Sequence, residues 1–537
     1  MNQETEHTSS LWSDQVELPK FPTLTEAKTC DVCIVGGGIT GFMSAYLLAS
    51  EGKRVIVVDD GPPGAGETNR TSAHVTDVLD TRYHEIISKH GVEGAKSVFH
   101  AFRAGLDQIA GIIRQEKIDC DFEKLDGYLF LSPDSRLSEL EQELRAVSEV
   151  GFANVQLVDC PLSRKEKTPA LCFPNQYRFH VLKFLDGLID ACLDRNVEIY
   201  ANTHIGGIDD GDRVIVKRTN HENVAVTADA VIIATNSPIL GLGINLKQAA
   251  YRTYAIAGRV PLGAIPKGLF WDTADPYHYV RTQPIEDDLE YELLIVGGED
   301  HKTGQADDGA ERFARLEEWT RTWCGNFRSI DYKWSGQVYE PFDGIGFVGK
   351  QPGSRSIYIA TGASGVGMSF AGLAGILLTD EICGRENSAA EIFSPGRVPL
   401  SSPIETIREN INAAVQFIDY LTKSDVTSVT QIHPGEGAVI TRNGQRVAVC
   451  RDEHGNLCER SAVCPHMGGI VSWNSLEKSW DCPVHGSRFD MNGKVIDGPA
   501  NEDLGEPAFH LESGGAESPS FTQKNDSAKK DSEKKAS

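Results

Sequence analysis

A chain of 537 residues exceeds what a single hydrophobic core organises, so two or three domains are expected. Apolar residues make up 40%, aromatic 8% and charged residues 24%, an ordinary globular composition. Lys+Arg 52 against Asp+Glu 77 gives a net charge of −25, which argues for solubility and against nucleic acid or an anionic membrane as partner, since both need basic patches.

Residues 1–28 form a polar arm with no basic stretch leading into an apolar one, so no secretory signal is visible and a cytoplasmic location is expected. The longest apolar run, VCIVGGGITGFMSAYLLA, is broken by glycines and predicts a strand, turn and helix, not a membrane span. The scattered cysteines, 12 in all, suit reduced thiols and metal ligands better than a disulfide framework.

Within TCDVCIVGGGITGFMSAYLLASEGKRVIVVDD, Gly36-x-Gly38-x-x-Gly41 follows a strand and opens a helix. The first glycine permits a tight turn, the second lets a pyrophosphate approach the backbone, and the third lets helix and strand close up. Asp59 ends the second strand, placed to accept from a ribose hydroxyl, with Asp60 as the neighbouring alternative. A dinucleotide site is expected.

Residues 81–150 read as helical, 179–200 as a helix followed by a strand, and VIVKRT and AVTADAVIIATNS as strands. Residues 251–300, rich in β-branched and aromatic positions with turns between, predict a sheet. SIYIATG predicts a strand, then glycines, then the helix MSFAGLAGILLTDEICG. SPGRVPLSSP reads as a linker and IETIRENINAAVQFIDYLTKS as a helix. Short strands and turns from about 425 predict a small all-β module, and the Ser, Lys and Glu-rich end predicts disorder.

GAGETNRTSAHVT, ADAVIIATNS, WSGQVYEPFDGIGFVG and SIYIATGASGVGMSFAGLAG, in that order, resemble motifs of the D-amino-acid oxidase and glycine oxidase family of flavoproteins. The resemblance spans roughly 29–385 and selects FAD over NAD. It implies an α/β, Rossmann-like FAD-binding domain in pieces (29–80, 176–240, 334–385) around an α+β substrate domain (81–175, 241–333). A linker and helix (386–424), a small all-β domain (425–512) and a disordered tail (513–537) complete the expected layout. Carried over from the family, the flavin contacts are Gly36, Gly38, Gly41, Asp59, Thr68, Thr71, Ser72, Ala234, Gly362, Gly365 and Gly367. Relatives that attach the flavin covalently use a Cys or His; here Gln337 and Arg70 stand near those positions, so noncovalent FAD is expected.

In CPHMGGIVSWNSLEKSWDCPVHG, Cys464-x-His466 precedes Cys482-x-x-His485 by fifteen residues. Two Cys and two His so arranged match a Rieske [2Fe–2S] site, with thiolates on one iron and imidazoles on the other. Tetrahedral zinc is the alternative, although zinc sites usually pair Cys with Cys and His with His. DCPVHGSRFDMNGKVIDGPA resembles the Rieske family beyond the ligands. Many of that family carry a cysteine pair that staples the two loops; here Gly469 and Val484 stand in those places. Ser487 and Phe489 occupy positions near the cluster in the family, and the single hydroxyl points to the lower half of a potential range of roughly −150 to +300 mV.

Together the two halves resemble bacterial FAD-dependent oxidoreductases with a C-terminal Rieske domain. A flavin takes two electrons as a hydride and the cluster takes one at a time, which suggests two-electron oxidation followed by stepwise export, or the reverse, with an electron-carrier protein or quinone-like compound as the expected partner. The resemblance of the flavoprotein half implies an amine or amino acid C–N bond as the substrate. Arg281, Arg252 and Tyr254 are candidates for a carboxylate anchor, and His278 or His301 for a base. A Rieske oxygenase is not expected, because the roughly fifty residues after His485 are too few for a mononuclear iron domain. The alternatives are an electron-transfer or redox-sensing protein without a substrate of its own, or a cluster that only supports the fold.

Overall fold

The computed structural model describes residues 8–163, 167–221, 223–239, 242–397 and 425–507. The expected helix of IETIRENINAAVQFIDYLTKS and the expected disordered tail lie outside the described residues.

The runs VCIV, VIVV, AVII and IYIAT are buried at every position, as strands covered on both faces must be. They belong to a six-stranded sheet in the order 347–350, 357–361, 230–233, 32–35, 55–58, 198–200, parallel except for its first pair. Alternation divides its side chains. Val32, Ile34, Val55 and Val57 join the core formed with helices Ile39–Ser50, Val181–Leu193 and Gly367–Ile382. Cys33, Val35, Ile56 and Val58 face Val214, Val216 and Val226 of a four-stranded sheet on the other side. The strands come from three separated stretches of chain, so the domain is split, with a second domain inserted between the pieces.

That inserted domain is a nine-stranded sheet, whose strands Gln248–Pro261, His278–Pro284, Tyr291–Lys302 and Tyr332–Pro341 are mutually antiparallel neighbours. Strand Glu123–Phe130 also joins it, between helices Tyr83–Glu116 and Leu137–Val150, where the sequence predicts helix alone. Ala255, Ala257, Leu293 and Ile295 face the core shared with the first domain. Tyr254, Ile256, Leu294 and Val296 face helix Gly309–Trp323 through Phe313 and Leu316.

The C-terminal module is two small sheets, of three strands (437–461) and four strands (472–497), around a core that includes Trp473, Trp480 and Phe489. The N-terminal arm is not free of the core. Helix Leu11–Gln15 buries Leu11 and Trp12, and the indole Nε1 donates to Thr71 O at 2.7 Å.

Helices Tyr83–Glu116 and Gly367–Ile382 cross backbone to backbone at two glycines. A Cβ on Gly372 would lie 2.2 Å from Gly105 O, and one on Gly105 would lie 2.4 Å from Leu373 N. Gly372→Ala is therefore expected to lower the stability of the split domain by about 1–3 kcal/mol, because the helices must part. Its denaturation midpoint, followed by flavin fluorescence, measures the loss.

Candidate flavin cavity and cluster site

A cavity of about 860 Å³ opens where the six-stranded sheet, the large sheet and the C-terminal module meet. Gly36, Gly38, Asp59, Thr68, Thr71, Ser72, Ala234, Gly362, Gly365 and Gly367 all line it. Gly41 does not. Its Cβ would lie 2.0 Å from Gly36 O, so it serves the close approach of helix and turn. Gly36 has φ +111°, and a Cβ there would lie 2.5 Å from Ala234 O, which leaves glycine as the fitting residue. Asp59 accepts from Gly37 N at 2.5 Å and Gly61 N at 2.8 Å, and burial with Asp60 beside it pushes its carboxyl up to about 6. Thr68 Oγ1 accepts from Ile39 N at 3.1 Å, tying the second segment to the helix start. A glycine cradle, a helix N-terminus and a strand-end acid bordering one elongated cavity fit a dinucleotide such as FAD.

The five candidate catalytic residues do not line this cavity, and strand alternation explains four of them. Tyr254 and His278 point to the helix Gly309–Trp323 side, where Tyr254 meets Phe313 edge-on at 5.2 Å and His278 stacks on Trp319 at 4.2 Å. His301 stacks on Tyr254 at 5.8 Å. Arg252, on the same side as Tyr254, pairs with Glu477 of the C-terminal module at 3.1 Å. Arg281 faces inward, but its guanidinium is used up by Ala73 O (2.6 Å), Phe179 O (3.2 Å) and the Gln283 side chain. It braces the Ser72–His74 segment and is not presented to a substrate. The side chains that do reach the cavity from these strands are Thr253, Trp271, Tyr277, Tyr279 and Asp300, joined by Asp80 and His74. An acid closing an apolar strand, as in LLIVGGED, is the one sequence signal that marks Asp300.

The cluster loops share one turn geometry. Cys464 O accepts from Gly468 N and Cys482 O from Gly486 N, both at 2.9 Å, and the two glycines have φ +78° and +80°. The two buried cysteine sulfurs are hydrogen-bond neighbours, and the imidazoles of His466 and His485 stand 5.1 Å apart, nearly perpendicular. His466 Nε2 and His485 Nδ1 are buried without a hydrogen-bond partner, an arrangement that asks for a bound metal group. Among the described residues no three His, Cys, Asp or Glu side chains gather around one point. The donors divide into a thiol pair and an imidazole pair, which fits a two-iron cluster better than one tetrahedral zinc. Ser487 is fully buried, accepts from Ala500 N at 3.0 Å and lies within hydrogen-bond reach of Cys464 sulfur, while Phe489 faces Trp480 in the apolar core.

The module is docked onto the large sheet by buried polar contacts. Gln337 Nε2 donates to Gly486 O at 2.9 Å and to Asp497 Oδ2 at 3.0 Å. Tyr339 OH donates to Gly498 O at 2.9 Å, with His485 O 3.5 Å away. Gly486 presses against the sheet, where a Cβ would lie 2.3 Å from Ala250 Cβ. Glu477 accepts from Arg252 and from Thr8 Oγ1 (2.7 Å) and also meets Ser335. Burial would raise its carboxyl, but Arg252, Arg70 and Arg488 hold it down at about 2.

Two outcomes follow from this geometry. Glu477→Gln leaves Arg252, 1% exposed, without its counter-charge, and is expected to weaken docking by about 3–5 kcal/mol. Faster amide exchange in 248–254 and 472–481 reports that loss. A Cβ on Gly469 would lie 3.4 Å from Val484 Cβ, close to the roughly 3.5–4.5 Å that a disulfide spans. Gly469→Cys with Val484→Cys is therefore expected to cross-link the loops, checked by thiol titration before and after reduction.

No helix among the described residues is long and apolar enough to cross a membrane. Residues 31–381 match the family described as FAD dependent oxidoreductase, and residues 422–509 match the Rieske [2Fe-2S] domain. The Bacillus subtilis protein YhfW, named for a Rieske 2Fe-2S iron-sulfur protein, is 32% identical over 93% of this chain and 97% of its own. The gamma-glutamylputrescine oxidoreductase of Escherichia coli is 27% identical over 71% of this chain and 90% of its own. Glycine oxidase from Geobacillus kaustophilus superposes with a TM-score of 0.58 at 16% identity, over 69% of this chain and 99% of that one, a likeness of fold. The chain thus belongs to the FAD dependent oxidoreductase family and carries a Rieske [2Fe–2S] domain at its C-terminal end.

Proposed function

We propose that this oxidoreductase oxidises the C–N bond of an amine or amino acid and exports the electrons singly, through its cluster, to an external one-electron carrier. FAD, when bound, supplies the hydride acceptor, and the cluster supplies the one-electron relay. The substrate loses a hydride from carbon and a proton from nitrogen and leaves as an imine. Two successive one-electron deliveries to the carrier balance the pair removed. The eleven flavin contacts and the ligands Cys464, His466, Cys482 and His485 are part of this reading.

The observation that carries it is the strand Tyr332–Pro341. Gly336, Gln337, Val338 and Tyr339 wall the cavity, and Gln337 and Tyr339 also reach the carbonyls of the loop that bears His485. This strand therefore touches both the cavity and the cluster loop, through its backbone and through these hydrogen bonds. The role of this chain's residues is positional: they hold the cluster loop against the cavity wall and keep water out between them. Gln337, at the position where covalently attaching relatives carry a Cys, bonds Thr303, Gly486 and Asp497 through its carboxamide, which supports FAD held without a link at that position. The enzyme names of the Escherichia coli and Geobacillus relatives support C–N chemistry. A walled cavity of this size favours an enzyme over a carrier that meets only other proteins.

Anaerobic addition of amines and amino acids, with flavin bleaching and the EPR signal of the reduced cluster read together, tests the proposal. Both signals are expected to appear with one substrate class. Tyr339→Phe and Gln337→Leu are expected to delay the cluster signal while flavin bleaching keeps its rate. Flavin reduction that never reaches the cluster refutes the relay.

A further inference from the structure

The cavity wall contributed by the large sheet has an unusual balance of charge. Thr253, Trp271, Tyr277, Tyr279 and Asp300 line it, with Asp80 alongside, and this wall holds no Lys or Arg. The arginines that do line the cavity are engaged elsewhere: Arg70 on Ser335 O, Arg218 on Leu24 O, and Arg488 on Asp481. Arg281 is consumed as described above, and Arg252 does not line the cavity but pairs with Glu477 of the C-terminal module. Arg312, which also faces Asp300, is bound to Asp308 and to the carbonyls of Glu299 and Asp300.

The acids differ in how they are satisfied. Asp80 Oδ2 accepts from Tyr277 OH at 3.0 Å. Thr253 Oγ1 and Tyr279 OH stand 3.1 Å apart, and Tyr277 and Tyr279 lie ring to ring at 5.8 Å. Asp300 Oδ1 is buried and has no hydrogen-bond partner. Burial first, opposed by the Thr253 hydroxyl and Arg312 and reinforced by Asp80 and Glu299, pushes this carboxyl up to about 7. A half-buried carboxylate with one oxygen left without a partner is costly, and a cation is the ligand that relieves it. Aromatic faces beside it favour the same kind of ligand. At this wall an incoming carboxylate would meet two acids and no free guanidinium, the one lysine lining the cavity, Lys494, being contributed by the C-terminal module.

We propose that this wall binds the ammonium group of an amine lacking a carboxylate on the reacting carbon, with Asp300 as its ion-pair partner and Tyr277, Tyr279 and Trp271 flanking it. The inference rests on the proposed C–N oxidation and narrows its substrate from amine or amino acid to amine. Asp300 is the specificity-determining residue and the aromatic rings exclude water around the pair.

The test uses the oxidised holoprotein and two probes of the same shape that have no oxidisable C–H next to nitrogen: tert-butylammonium and pivalate. Each is titrated against the flavin absorbance. The ammonium is expected to bind about tenfold tighter than the carboxylate or better, and Asp300→Asn is expected to weaken it by about ten- to hundredfold, leaving pivalate unchanged or tighter. Pivalate binding as tightly as the ammonium, or an equal loss of both probes in the variant, overturns the proposal. Should Asp300→Asn fail to retain FAD, the comparison of the two probes on the unaltered protein decides alone. Substrate turnover separates this idea from the one beneath it. Flavin reduction by α-amino acids in preference to simple amines overturns the amine assignment and leaves C–N oxidation standing. Ammonium-selective binding with no reduction by either class upholds the site and removes the oxidation reading.

Discussion

The structure depends on the pleat of one sheet. Successive residues of a β-strand project to opposite faces, so a single layer presents two different surfaces about a side chain apart. Here one face of the large sheet borders the flavin cavity and the other receives helix Gly309–Trp323, while the Rieske module packs on the sheet and itself contributes Arg488 and Asp497 to the cavity lining. Strand Tyr332–Pro341 belongs to both. Gln337 and Tyr339 project toward the cluster loop from a backbone that walls the cavity. The candidate flavin cavity and the candidate cluster loop thus both abut this one strand.

Such an arrangement works only if the module stays on the sheet, and the contacts there are of the kind that specify one position. Glu477 sits among Arg252, Arg70 and Arg488, and Arg488 in turn pairs with Asp481 at 3.1 Å, both 3% exposed. Buried charges of this sort add little net stability but penalise any displacement that unpairs them. Gly486 adds a steric criterion, since its contact with Ala250 leaves no room for a side chain. Docking is therefore fixed in register as well as in affinity.

The sequence made the cofactor sites legible and hid the substrate site, for a reason rooted in chain locality. Gly36, Gly38 and Gly41 lie within one turn, and each cluster loop supplies its Cys and His within four residues, so the chemistry is written in short spacings. The cavity wall of the large sheet is assembled from strands far apart in the chain, and which residues face it is decided by parity. In DPYHYVRT the eye falls on His278 and Arg281, the usual bearers of chemistry, but the cavity side belongs to Tyr277 and Tyr279. Register shifts between Arg252 and Tyr254, against the neighbouring strand, blur that parity further. Strand Glu123–Phe130 escaped the sequence for a different reason: it is short, amphipathic and flanked by two strongly helical segments. The burial of Leu11 and Trp12 in an otherwise polar arm shows how two side chains suffice to anchor a segment whose average composition says nothing about them.

Val484 resting on Gly469 has its own consequence. Where many Rieske domains also join their two loops by a disulfide that a reductant can open, this one places Val484 against Gly469 in van der Waals contact. Between these two positions there is no disulfide for a thiol reductant to open, so a surge of glutathione has no bond to cut there.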